Sequence, residues 1–363
     1  MIASGDSPRY SRKGRVAMKT LTNMTVRRQL PSPAELREML PLSPEGQAAK
    51  ARRDREITDI LTGKDHRLLL IIGPCSADRE DAVLEYIGRL VPIQEQVRDK
   101  LLIIPRIYTN KPRTTGDGYK GIASQPDPTK LPDIEKGLIS TRHLHVTAVN
   151  QTGFTCADEM LYPGNDPYFA DVLSYVAVGA RSVENQQHRL VASGLGVPVG
   201  MKNPTSGDLS VMLNSITAAQ HPHVFSYREL EVETSGNPLA HAILRGSVDR
   251  TGRTIPNYHY EDLRGLYELY QKKELQNMAA IIDANHANSG KQPLEQIRIV
   301  NEVLHACRHS GEIRSMVKGF MVESYLVDGA QSIGEGIYGK SITDPCLGWE
   351  KSRELILEMA DQL

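Results

Sequence analysis

The 363-residue sequence predicts a (β/α)₈ barrel, and two features carry that prediction. Eight short apolar runs follow one another from residue 68 onward, and stretches of helical periodicity separate them. Runs without polar alternation suit parallel strands buried on both faces, and the helices between them supply the crossovers. A single barrel takes about 250 residues, so one barrel with extensions accounts for the length. A doubly wound open sheet is the alternative with the same alternation.

Residues 1–30 carry Arg9, Arg12, Lys13, Arg15, Lys19, Arg27 and Arg28 against the single acid Asp6. No apolar h-region accompanies them, so they predict a basic, disordered tail rather than a secretory leader, with Met18 and Met24 as alternative starts. Residues 31–66 predict an N-terminal helical extension. Ser32-Pro33-Ala34-Glu35 has the form of a capping box with Pro at the first helical position. Ser43-Pro44 opens a longer helix with Ile57, Ile60 and Leu61 on one side, ended by Gly63.

The barrel then occupies residues 67–363. Its strands are expected at Leu68–Ile72, Leu101–Ile104, Phe154–Ala157, Val176–Val178, Val197–Met201, Ala242–Leu244, Ala279–Ile282 and Val317–Val322. Crossover helices are expected over Arg79–Leu90, Tyr168–Tyr175, Ser206–Ala219, Asp262–Leu275 and Leu294–His305. Val224–Thr234 alternates instead, which predicts an inserted antiparallel β-hairpin before the sixth strand.

Composition narrows the function. A net charge of −1 argues against a general affinity for nucleic acid or anionic membrane, so any positive potential must be local. Cys75, Cys156, Cys307 and Cys346 lie far apart with no CxxC, which fits a reducing, cytoplasmic compartment. No apolar run approaches the roughly 18 residues of a membrane span.

In such barrels the active site gathers at the carboxyl ends of the strands. Those ends supply Cys75, Arg106, Glu159, Arg181, Lys202, Arg245, His286 and Glu323 in turn. Singly, each has a bland explanation. A cysteine after Gly-Pro is usually a packed thiol, a histidine usually a hydrogen-bonding one. Glu323 is as readily a buried partner for one of the arginines as a metal ligand. Eight converging on one mouth are harder to dismiss. The arginines and Lys202, with Lys111 and Arg113 nearby, make a cationic pocket suited to a ligand bearing several negative charges. Cys75, His286 and Glu323, with Asp344 on the loop after the last strand, offer donors for a divalent transition metal. Gly116-Asp117-Gly118-Tyr119-Lys120-Gly121 matches G-x-G-x-x-G but sits in a Pro-rich loop, without the strand and helix a dinucleotide site needs. A phosphate-holding loop using Arg113 and Thr114 fits that context better.

Longer motifs sharpen this. GPCSADRE (73–80), PRIYTNKPRTTGDGYKG (105–121), GARSVENQQHR (179–189), PVGMKNPTSGDL (198–209), DANHANSGKQ (283–292), MVESYLVDGAQS (321–332) and YGKSITDPCLGWE (338–350) stand in order. Together they resemble the metal-dependent type I 3-deoxy-D-arabino-heptulosonate 7-phosphate (DAHP) synthases, and the likeness runs from about residue 30 to the end. The resemblance implies condensation of phosphoenolpyruvate with D-erythrose 4-phosphate and water to give DAHP and phosphate, the first step of aromatic amino acid biosynthesis. It implies Cys75, His286, Glu323 and Asp344 as ligands of manganese, iron, cobalt or zinc. It implies Arg106 and Lys202 at the phosphoenolpyruvate carboxylate, Arg181 and Arg245 at its phosphate, and Glu159 beside them. Lys111, Arg113 and Thr114 match the erythrose 4-phosphate site, with Lys111 the donor to the developing alkoxide and Asp344 facing the sugar. A homodimer or homotetramer is implied as well.

Two other readings stand beside it: a sibling enzyme condensing phosphoenolpyruvate with another aldose, and a silent regulatory subunit. The latter predicts erosion of the metal and clamp positions, which are intact. The sequence also departs from the family. His223–Asn237 is several residues shorter than in members whose hairpin helps form a pocket for an aromatic amino acid, and MLYPGNDPYF (160–169) and Gly196 lack much of that pocket's lining. Feedback by phenylalanine or tyrosine is therefore expected to be weak, absent or differently built.

Overall fold

The computed structural model describes residues 23–363, so most of the expected basic tail lies outside the described residues. Eight parallel strands form the barrel wall: β1 (Leu68–Gly73), β2 (Leu101–Pro105), β3 (Cys156–Glu159), β4 (Leu173–Val178), β5 (Val199–Lys202), β6 (His241–Leu244), β7 (Ala280–Asp283) and β8 (Val317–Glu323). They neighbour one another in chain order, and β8 returns to pair with β1. The gap between β2 and β3 closes at the end of β2, where Arg106 forms a parallel bridge with Ala157 of β3. The barrel, not the open sheet, is the observed arrangement.

Period-two alternation sorts the strand residues into two layers. Leu69, Ile71, Leu102, Ile104, Ala177 and Ile281 face inward, while Leu70, Ile72, Ile103 and Val176 face the helices. The helical extension is built as its caps predict. Ser32 and Glu35 complete a capping box on α1 (Pro33–Met39), and the Ser43 hydroxyl caps α2 (Pro44–Leu61). Ile57, Ile60 and Leu61 of α2 join the inward-facing layer of the strands, so this helix closes the lower end of the barrel.

The crossover helices are α3 (Glu80–Val97), α4 (Ile134–Thr152), α5 (Gln186–Ala192), α6 (Leu209–Gln220), α7 (Tyr260–Lys273) and α8 (Glu295–His309), followed by the short α9 (Gly311–Met316) and the terminal α10 (Trp349–Gln362). One expectation is corrected: Tyr168–Tyr175 is not a helix. A 3₁₀ turn over Pro163–Tyr168 takes its place, and β4 begins at Leu173. The C-terminal part of the expected helix is instead drawn into the sheet, where Leu173 and Tyr175 pair with Cys156 and Ala157 of β3. The inserted hairpin pairs Val224–Tyr227 antiparallel with Leu230–Glu233. Its two-residue turn, Arg228-Glu229, has φ of 49° and 63°, the geometry of a tight hairpin turn.

Candidate active site

The strand register assembles the site. Gly73 pairs with Glu323 across β1 and β8, so the Pro74-Cys75 continuation of β1 lies beside the end of β8. A sulfur of Cys75 and carboxylate oxygens of Glu323 and Asp344 lie within 4.8 Å of one another. His286 adjoins this trio at one corner, its Nε2 3.8 Å from Glu323 Oε1. Its backbone is held at φ +50°, a costly conformation for a residue with a Cβ. The other ring nitrogen, Nδ1, is 2.8 Å from Asp283 Oδ2, close enough for an ion pair yet out of line for a hydrogen bond.

Glu323 is fully buried and carries two partners. Arg106 donates Nη2–H to Oε1 at 2.8 Å, and Asn285 donates to Oε2 at 2.6 Å. Burial pushes its carboxyl pKa up, but Arg106 and then His286 outweigh that, and it lies below the usual carboxylate value. The same contest at Arg106 raises the guanidinium pKa: burial opposes the charge and Glu323 more than offsets it. Arg106 also donates to the Pro74 carbonyl and stacks 3.6 Å above the Tyr108 ring. Burial, reinforced by Glu323, pushes the Cys75 thiol up, while Lys111 Nζ, 3.0 Å from the sulfur, pulls the other way.

Cys75, Arg106, Lys111, His286 and Asp344 line a cavity of about 740 Å³, counted with its open mouth. Seven cationic side chains face it against two carboxylates, in a chain whose net charge is −1. Lys202 Nζ stands 3.5 Å from Glu159 and 3.6 Å from Asp283, both buried with it. Among the described residues Arg245 Nη1 is buried without a hydrogen-bond partner, and burial lowers the pKa of that guanidinium. A buried unpaired donor at a cavity wall points to an anion. Arg181 is exposed at the rim. Gly179 leaves room for Glu159: a Cβ there would lie 2.6 Å from a carboxylate oxygen and force that side chain to move.

Of the residues singled out from sequence, Cys75, Arg106, Lys111, Arg113, Glu159, Arg181, Lys202, Arg245, His286 and Asp344 all line this one cavity, and Glu323 lies under it. Thr114 does not; it is exposed on the loop beyond Arg113. Arg113 itself turns its Nε toward the Tyr119 carbonyl at 2.7 Å. The G-x-G-x-x-G segment lies in that loop, with φ of 84°, 89° and 90° at Gly116, Gly118 and Gly121, and no helix starts until Ile134.

Sequence reasoning passed over Lys291, Asp283 and Tyr108. Lys291 lines the cavity and pairs with Asp344 at 2.9 Å, which with other cations holds that carboxyl low against the effect of burial. Asp283 ends β7 and is legible as a strand-end charge, three residues before His286. Tyr108 gave no signal, since its role is to stack beneath Arg106 and Lys202.

A barrel mouth combining a multiply cationic cavity with a thiol-and-carboxylate cluster defines an enzyme for polyanionic substrates. The family model of the DAHP synthetase I family matches residues 40–357, and the chain belongs to that family. A phospho-2-dehydro-3-deoxyheptonate aldolase of Corynebacterium glutamicum is 37% identical over 348 residues, covering 92% of this chain and 91% of that protein. The Phe-sensitive phospho-2-dehydro-3-deoxyheptonate aldolase of Escherichia coli K12 is 38% identical over 342 residues, covering 92% and 94%. The solved phospho-2-dehydro-3-deoxyheptonate aldolase of Francisella tularensis SCHU S4 superposes with a TM-score of 0.87 at 32% identity, over 94% of this chain and 98% of that one.

Proposed function

We propose that this chain condenses phosphoenolpyruvate with D-erythrose 4-phosphate and water, forming DAHP and inorganic phosphate at the start of aromatic amino acid biosynthesis. The observation that carries the reading is the cavity itself: seven cations converge on a space whose edge holds the Cys75, Glu323 and Asp344 cluster. Two trianionic or dianionic substrates brought together need such a surplus of positive charge.

Arg181 and Arg245 hold the phosphate of phosphoenolpyruvate, while Lys202 and the remaining free donor of Arg106 hold its carboxylate. Glu159 keeps Lys202 in place. Lys111, Arg113 and Lys291 face the sugar phosphate; Thr114, exposed, is given no role in this geometry. The enol carbon attacks the aldehyde carbon, water adds at the neighbouring carbon, and phosphate leaves. Lys111, on the cavity wall beside Cys75, donates a proton to the aldehyde oxygen as it becomes a hydroxyl.

The donor set fits a divalent cation. One soft sulfur, two hard carboxylates and an adjoining imidazole suit manganese, iron, cobalt or zinc, and Cys75, Glu323, Asp344 and His286 would hold it. Such an ion supplies Lewis acidity toward the aldehyde oxygen. The assembly expected is a homodimer or homotetramer, which light scattering measures, and the setting cytoplasmic; none of the described helices is long and apolar enough to cross a membrane.

The test is loss of the phosphoenolpyruvate absorbance on adding erythrose 4-phosphate, abolished by chelation and restored by divalent metal. Arabinose 5-phosphate turned over better than erythrose 4-phosphate would overturn the substrate assignment. Cys75→Ala is expected to lose bound metal and turnover together; retention of both would remove Cys75 from the site.

A further inference from the structure

Behind the cavity wall lies a buried polar cluster that the mechanism above does not use. Asp158, 4% exposed, sits on β3 immediately before Glu159. Its Oδ1 accepts the backbone N–H of Thr109 at 2.9 Å and that of Glu159 at 2.7 Å. Its Oδ2 accepts the Thr109 hydroxyl. Asn110 donates its Nδ2 to the same Thr109 hydroxyl oxygen at 3.3 Å. From α4, fully buried His145 points Nε2 at Asp158 Oδ2 from 3.7 Å, within ion-pair reach, and neither ring nitrogen has a hydrogen-bond partner among the described residues.

A buried carboxylate is costly unless its oxygens are well satisfied, so this one is placed to hold something. The two backbones it joins are unequally held without it. Glu159 is already fixed by the β3–β4 ladder through its register with Ala177. The Thr109 N–H has Asp158 as its acceptor, and Lys111 follows two residues later. Lys111 itself bonds the Lys120 carbonyl through its backbone and Cys75 Sγ at 3.0 Å through Nζ, and the Tyr108 and Thr109 carbonyls just before it accept from the Ala77 and Ala123 N–H groups. Among the described residues, Asp158 is the side chain that takes both the N–H and the hydroxyl of Thr109.

We propose that Asp158, backed by His145, is a positioning residue that clamps the start of the β2–α4 loop and so sets where Lys111 presents its ammonium. The inference rests on the assignment of Lys111 as proton donor. Misplacing a reacting group by about 1 Å costs on the order of a hundredfold in rate, so a loosened clamp is expected to show mainly in turnover.

The experiment compares Asp158→Ala, Asp158→Asn, Lys111→Met and the Asp158→Ala/Lys111→Met double variant as metal-loaded enzymes, with metal content and thermal midpoint measured for each. Asp158→Ala is expected to lower kcat about tenfold or more and to raise the KM for erythrose 4-phosphate, leaving the KM for phosphoenolpyruvate within about twofold. Asp158→Asn, which keeps an acceptor for the two N–H groups, recovers most of kcat. In the Lys111→Met background the second substitution adds little, because groups acting through one another are not additive. Wild-type turnover in Asp158→Ala beside an inactive Lys111→Met would overturn the clamp alone. Equal damage to both KM values, or an Asn variant no better than Ala, would also overturn it by showing general loss of structure. Wild-type turnover in Lys111→Met would instead overturn the reading of Lys111, and the clamp's purpose with it.

Discussion

Glu323 holds two commitments at once. It accepts from Arg106 at 2.8 Å, and it stands within the cluster with Cys75 and Asp344. The sequence left ion pair and metal ligand as competing readings; the strand register makes them compatible, because a carboxylate has two oxygens and several lone pairs. Burial without those partners would protonate it. A different buried group, His241 on β6, shows the converse. It bonds the Tyr175 hydroxyl and the Leu239 carbonyl, and burial lowers its pKa to about 4. Its folded pKa lies below the unfolded one of about 6.5, so the unfolded chain binds the extra proton between them. Stability is therefore expected to fall as pH drops from about 6.5 to 4, by roughly 3 kcal/mol from this group. Urea unfolding at pH 7 and pH 4 measures it; a His241→Gln variant with the same pH slope as the parent would show that another group is responsible.

Among the elements, α2 was legible as a helix but not as the barrel's lower plug. Its caps are local in sequence, whereas Ile57, Ile60 and Leu61 meet the inward layer only once eight strands have closed. Ile60→Ala is expected to cost about 2–5 kcal/mol in denaturant unfolding, with KM values unchanged. No loss of stability would show that the helix docks loosely. The hairpin before β6 was expected from alternation and is present, its tight turn fixed by positive φ at Arg228 and Glu229. Tyr227 donates to the Pro163 carbonyl at 2.6 Å, tying the hairpin to the 3₁₀ turn that replaced an expected helix. From the departures expected at this segment, feedback by millimolar phenylalanine or tyrosine is expected to be weak, absent or differently built. Strong inhibition by either would show a feedback pocket built from other residues. The nineteen residues of α4 were missed, since its buried Arg142, His145 and Thr141 break the apolar stripe that periodicity looks for. Arg142 is neutralised by Asp171 at 2.8 Å, a partner 29 residues away that no window on the helix could reveal.

The whole molecule concentrates its charge. A chain of net charge −1 turns seven cations toward one cavity, so attraction of anionic substrates is a local field rather than a global one. Raising ionic strength shortens screening to about 8 Å at physiological salt and less beyond, so KM for both substrates is expected to rise with potassium chloride while kcat changes less. Salt-independent KM values would argue that phosphate recognition is by direct contact alone. While the choice of barrel over open sheet fell to the pairing of β8 with β1, the sequence by itself determined the strand count, the alternation of strands with helices, the caps of the first two helices and most of the charged groups at the mouth. Each of these is written in short-range patterns: apolar runs, turn residues, and the polar residue that ends a strand. Tertiary structure alone decided that Arg106 grips Glu323, that Lys291 reaches Asp344, that Thr114 stays outside, and that Asp158 ties β3 to the loop of Lys111. Those pairs lie between 49 and 217 residues apart along the chain, and only the closing of the barrel brings them within reach of a hydrogen bond or ion pair.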